Sequence, residues 1–189
     1  MSFMMQEEPA HGRDRAHDEI CARLHPSRRM ASLDGKLRTG TPLPVYRLGR
    51  PRGDITTRPE ERAKKVGWRY PIFGGKVPGL LFLHRAGGKL VYGGISEGEF
   101  PNRLLKAALA AEKEIGGMKK ALEPRLLEIP SLRLYMLWFY ASRGKNYFFP
   151  LTGRRDPKHA YETNIRGMIA RSLSSMAPKP AVRPRRRKR

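Results

Sequence analysis

The side chains able to do covalent or metal chemistry are few and scattered. Five histidines are present: His11, His17, His25, His84 and His159. No two of them stand one helical turn apart with a glutamate between, and the single cysteine, Cys21, has no partner thiol, so no zinc pattern is spelled out. His84, beside Arg85 at the end of an apolar run, reads as a partly exposed strand histidine. His159 follows Asp156 closely, with no nucleophile or second carboxylate at hand for it to serve as a base. Cys21 has His17 one turn before it, but a reactive thiolate needs an enclosed electropositive setting, and the segment around it reads as an arm. The pairs Gly75-Lys76, Gly88-Lys89 and Gly144-Lys145 lack the spacing and following hydroxyl residue of a phosphate-binding loop and read as turns. No two carboxylates are singled out for hydrolysis. The expectation is therefore no catalytic set, no metal and no cofactor.

Charge is the more informative chemistry. Lys and Arg number 39 against 17 Asp and Glu, a net charge of +22. Residues 1–67 hold 14 basic and 9 acidic side chains, residues 68–177 hold 18 and 8, and residues 178–189 hold 7 and none. That last segment carries Lys179, Arg183, Arg185, Arg186, Arg187, Lys188 and Arg189 between prolines. It has nothing to bury and repels itself, so it reads as a disordered Arg/Pro-rich tail with affinity for a polyanion. A second cluster, Arg154, Arg155 and Lys158, surrounds Asp156-Pro157, which reads as a helix start whose N–H groups favour an anion. Asp156 competes for those same N–H groups as a cap.

Aromatic residues offer another possible contact. Trp138, Phe139, Tyr140, Tyr147, Phe148 and Phe149, with Arg143 and Lys145 near, have the composition of a stacking platform for single-stranded nucleic acid. The run is continuous, however, and continuous apolar runs are core strands, so burial is the expectation.

The elements that must hold these residues follow from periodicity. Leu132 to Tyr140, the turn Ser142 to Asn146 and Tyr147 to Phe149 predict a hairpin around which the rest is arranged. Ile129-Pro130 predicts a bend at its entrance. Leu80 to Leu83 and Leu90 to Tyr92, joined through Gly87-Gly88, predict another hairpin, with Gly93-Gly94 releasing the chain. Pro101 to Ile115 has the stripe Leu104, Ala108, Ala111 and Ile115 of an amphipathic helix, flanked by Leu105 and Leu109. Tyr161, Ile165, Met168, Ile169 and Leu173 predict a second helix over 157–174. Pro59 to Val66 predicts a two-turn helix, and Arg13 to Leu24 a short one. From Arg28 to Pro59, with Pro42, Pro44 and Pro51, no period is present, and the stretch reads as an extended arm.

The predicted organisation is a weakly structured basic arm over 1–66, an α+β domain over 67–177 and the tail over 178–189. In that domain a small antiparallel sheet from two hairpins is packed by two helices. The hydrophobic fraction of 39% and charged fraction of 30% suit one core diluted by polar flanks. No apolar leader and no run of membrane-spanning length are seen, and a lone cysteine suits a reducing compartment, so a cytoplasmic protein is expected.

The order Leu126-Leu127-Glu128-Ile129-Pro130-Ser131-Leu132, then Leu137-Trp138, then Phe149-Pro150-Leu151 resembles a pattern in small bacterial α+β proteins of unassigned function. There an apolar strand entered through Ile-Pro is followed by a strand ending in Pro-Leu or Pro-Val. The resemblance spans about residues 78–151, implies the fold and a bacterial origin, and brings no activity with it. Taken together, the residues predict a non-enzymatic basic protein that holds DNA or RNA without strong sequence preference, through its tail and a basic surface. The competing expectation is a protein-interaction or structural module in which the tail is incidental.

Overall fold

A computed structural model of the chain describes residues 9, 11–24, 38–49, 59–74, 78–118, 122–152, 161–162 and 165–176. In chain order these contain α1 (Gly12–Leu24), β1 (Arg38–Thr39), β2 (Leu43–Arg47), a 3-10 turn (Pro59–Arg62), β3 (Lys64–Phe73), β4 (Gly79–Ala86), β5 (Lys89–Glu97) and α2 (Glu99–Ile115). There follow β6 (Glu123–Ile129), a 3-10 turn (Pro130–Leu132), β7 (Leu134–Tyr140), β8 (Tyr147–Pro150), β9 (Tyr161–Glu162) and α3 (Ile165–Met176).

All the described strands join one sheet in the order β5-β4-β3-β2-β6-β7-β8-β9, with β1 on β3. The α+β class is as predicted, but a nine-stranded sheet replaces the small one expected. Every pairing is antiparallel except β2 with β6, where Val45, Tyr46 and Arg47 run parallel to Leu126, Leu127 and Glu128. That seam makes one sheet of two meanders.

The predicted turns are where the sequence put them. Gly87 and Gly88 have φ of 55° and 79°, the paired positive angles that a two-residue hairpin needs to match strand twist. Pro130 opens the 3-10 turn, which Arg133 closes in the left-handed region, before β7 begins. Gly93-Gly94 does not release the chain: β5 runs on to Glu97, and the register shift opposite Phe82/Leu83 absorbs the positive φ of Gly94.

Four expectations are corrected. The stretch read as an arm supplies β2, an interior strand with Val45 fully buried. The predicted helix over Pro59 to Val66 is a single 3-10 turn, and the chain is already extended from Lys64. The last helix begins at Ile165 rather than 157, because Tyr161–Glu162 pairs with β8 as a strand. The α2 helix starts at Glu99, with Pro101 inside its first turn.

Helices cover both faces. On one face Ala16 and Ile20 of α1 pack on Trp68, Tyr70, Ile72, Leu81 and Leu83. On the same face Ile165 and Ile169 of α3 join Leu127, Ile129, Met136, Trp138 and Phe148. On the other, Leu104, Ala107, Ala111 and Ile115 of α2 meet Val45, Leu80, Leu126, Leu137, Phe139 and Phe149. An isolated helix as short as α1 would be marginal in water, so the burial of Ala16 and Ile20 is what holds it. As predicted from the continuous run, β7 is covered on both sides.

Candidate nucleic-acid interface

The bulge between β2 and β3 sets the site. Val45 pairs with Gly67 and Tyr46 with Lys65, so Val66 is the extra residue. Strict alternation would put Lys65 and Trp68 on opposite faces; the inserted residue brings them to the same one. The Lys65 ammonium sits 4.3 Å from the centre of the Trp68 ring, and the Arg85 guanidinium of β4 lies 5.5 Å from it.

Across β2 the pattern continues on the other meander. Arg125 of β6 lies over Tyr140 at 3.7 Å, Tyr46 at 4.6 Å and Trp138 at 4.9 Å. Its Nε and Nη2 donate to the two carboxylate oxygens of Glu123 at 2.9 and 2.7 Å, a forked pair that fixes the guanidinium plane. Tyr46 meets Trp138 edge to face at 5.6 Å, and Trp138 stacks on Phe148 at 6.0 Å. The result is a ladder of cations lying on aromatic faces, from Arg85 through Trp68, Lys65, Tyr46 and Arg125 to Tyr140. It crosses five strands, its Trp68 belonging to the cluster that α1 packs on and its Tyr46 and Tyr140 packing against the cluster that α3 joins.

Electrostatics ties the ladder together. Partial burial pushes the Lys65 ammonium below its usual value of 10.5; Glu123 works against this, while Arg85 and Arg125 lower it further. Burial is thus the main cause, and Glu123, Arg85 and Arg125 act on Lys65 as one charged neighbourhood. The sign of the pH effect follows. The unfolded chain binds more protons between the lowered value and 10.5, so Lys65 opposes folding fully below that window, and the penalty fades as pH climbs through it. Lys65→Met keeps the apolar stem and should be at least as stable as the parent at pH 7 in denaturant titrations, with its advantage shrinking toward pH 10.5. A variant less stable at pH 7 by a pH-independent margin would mean that the contact with Trp68 outweighs desolvation.

Several other described charges lie away from the ladder. Arg47 and Arg69 hold Glu128 on the opposite face, at 2.9 and 3.2 Å, with the Glu128 side chain 5% exposed. Lys106 and Lys113 lie exposed on α2, and Arg103 of that helix pairs with Glu99. His84 stacks on Phe82 at 5.8 Å, and its Nδ1 has no hydrogen bond among the described residues. No group of metal-ligating residues occurs among the described residues.

The sequence-predicted site residues are not among those described. Lys179, Arg183, Arg185, Arg186, Arg187, Lys188 and Arg189, and likewise Arg154, Arg155, Lys158 and His159, lie outside the described residues. Of the aromatic platform, Trp138, Phe139, Tyr147, Phe148 and Phe149 are buried, as the continuous run predicted, and only Tyr140 is partly open. The ladder was missed because its members come from separate runs. The one available signal was local: Lys65 and Trp68 flank a valine and a glycine at the head of a strand, the composition of a bulge.

Comparison with protein-family models, with curated proteins and with solved structures gave no match for the chain. No helix among the described residues is long and apolar enough to cross a membrane.

Proposed function

We propose that the protein is a non-enzymatic nucleic-acid-binding module that grips the phosphate backbone through the exposed Lys65 and Arg85 of the ladder, with the cations of residues 178–189 adding charge and the buried Arg125, paired with Glu123, supporting the rings beside them. The observation that carries this reading is geometric: Lys65 and Arg85, both exposed, converge on the Trp68 ring at 4.3 and 5.5 Å. Trp68 and Trp138 are 4% and 2% exposed beneath their cations, so bases cannot stack on them. Contacts limited to phosphate position a strand without reading it, which supports weak sequence preference.

The test is a titration of labelled single-stranded DNA, single-stranded RNA and duplex DNA against salt. The full chain, a chain ending at 177 and the double variant Lys65→Glu/Arg85→Glu are compared. The log of affinity should fall linearly with the log of salt for the full chain, with a slope of about −0.9 per phosphate contact on duplex. Ending the chain at 177 should flatten that slope, and the double variant should bind about tenfold more weakly at 50 mM salt. Equal, weak and salt-insensitive binding by all three would sink the proposal and leave the protein-interaction reading in its place.

A further inference from the structure

Face coverage by α2 is incomplete. Its core stripe, Leu104, Ala107, Ala111 and Ile115, is buried, but the adjacent stripe Leu105, Ala108, Leu109 and Glu112 is not. Leu105 and Leu109 are 45% and 59% exposed, and across a gap from them Phe73 of β3 is 43% exposed. The gap is a half-open pocket of about 390 Å³ with Leu80 and Phe139 among its lining, within the size range of sites for drug-sized molecules.

Its lining is almost wholly apolar, and Glu112 is the only charged residue among the described residues that line it. The helical neighbours of Glu112 at one turn either way are Ala108, Leu109, Ile115 and Gly116, none of which can pair with it. Its carboxylate makes no ion pair among the described residues. In a chain of net charge +22, an acidic group left alone over an apolar pocket is the reverse of the general field.

We propose that this pocket binds a small apolar molecule bearing one ammonium group, with the hydrocarbon against Leu80, Phe139, Leu105 and Leu109 and the cation at Glu112. Binding here is independent of the ladder, which lies on the other face of the sheet. The charge of the whole protein makes the test sharp: its long-range field favours anions, so a preference for a cation has to be local.

The experiment uses the full chain and three isosteric ligands, 4-phenylbutylamine, 4-phenylbutanol and 4-phenylbutanoate, with affinities from ligand-observed NMR at 150 mM salt. The amine should bind about fivefold more tightly than the alcohol, the margin of a partly exposed ion pair, and the carboxylate least of all. Glu112→Gln should bring the amine down to the alcohol and leave the alcohol unchanged. Ala108→Trp, a substitution at an exposed helix position that fills the mouth, should abolish binding of all three, with near-UV circular dichroism confirming an intact fold. The proposal is overturned by a carboxylate that binds as well as the amine, by a ranking that survives Glu112→Gln, by binding that survives Ala108→Trp, or by no binding of any ligand at millimolar concentration.

Discussion

Trp138→Ala should lose about 4 kcal/mol of folding stability, seen as a fall in Tm of about 10 °C. The indole is 2% exposed and is held on several sides at once. Phe148 stacks below it, Tyr46 and Tyr140 meet it edge on at 5.6 and 5.5 Å, and Arg125 lies over it. Rings from β2, β7 and β8 cannot close that space without moving strands, so a cavity remains. Its Nε1 has no hydrogen-bond partner among the described residues, so Trp138→Phe leaves no acceptor orphaned there and should cost only about 1 kcal/mol. A second reading separates packing from function. Once Trp138 is gone Arg125 and Tyr46 lose packing beside Lys65, so Trp138→Ala should also bind polyanion more weakly at temperatures where it is still folded. Equal stabilities for the alanine and phenylalanine variants would show that the site collapses freely and that the ring cluster is not a rigid support.

Glu128→Leu should destabilise the fold by about 3 kcal/mol, because it strands buried positive charge rather than because it removes a favourable pair. The carboxylate receives hydrogen bonds from Arg47 at 2.9 Å and Arg69 at 3.2 Å. The two arginines are unequal: the Arg47 side chain is 45% exposed and can turn to water, whereas that of Arg69 is 17% exposed. The Arg69 guanidinium also lies 4.3 Å above Phe82, and its Nε already lacks a partner among the described residues. Arg47→Ala should accordingly cost less than about 1 kcal/mol. Combining Glu128→Leu with Arg69→Met should recover most of the loss, since an apolar replacement of a buried pair is close to neutral. Additive losses in chemical denaturation of that double mutant would refute the coupling.

Both residues show how far the sequence reaches. Trp138 sits in a run whose strand character is plain from composition, and β4, β7 and β8 and the first half of β5 were predicted, whereas the run holding Glu128 was not assigned a strand. What could not be read was β2. Pro44 argued against an interior strand, since a proline has no N–H to give a neighbour. The register resolves this: β6 pairs with β2 only from Val45 onward, so Pro44, which faces Trp68, needs a partner on one side alone. Without β2 the two hairpins had nothing to join them, and a small sheet was the natural inference. Tyr161 misled in the other direction, because its spacing from Ile165 fits a helical stripe as well as a strand followed by a helix. The ladder depends on both β2 and a bulge, and so was out of reach: residues as distant as Tyr46 and Tyr140 meet on Arg125 only once the strand order is known.

The parallel seam has a consequence in time. Elsewhere in the sheet, strands pair with near neighbours along the chain, and such pairings can zip quickly. Val45 to Arg47 must instead find Leu126 to Glu128 at a separation of 81 positions, for which the length-dependent closure entropy is about 4 kcal/mol. That one encounter is the natural kinetic bottleneck, with each half already patterned when they meet. Because Tyr46 and Arg125 stand on either side of it, the two parts of the cation ladder become continuous only at the moment the halves join.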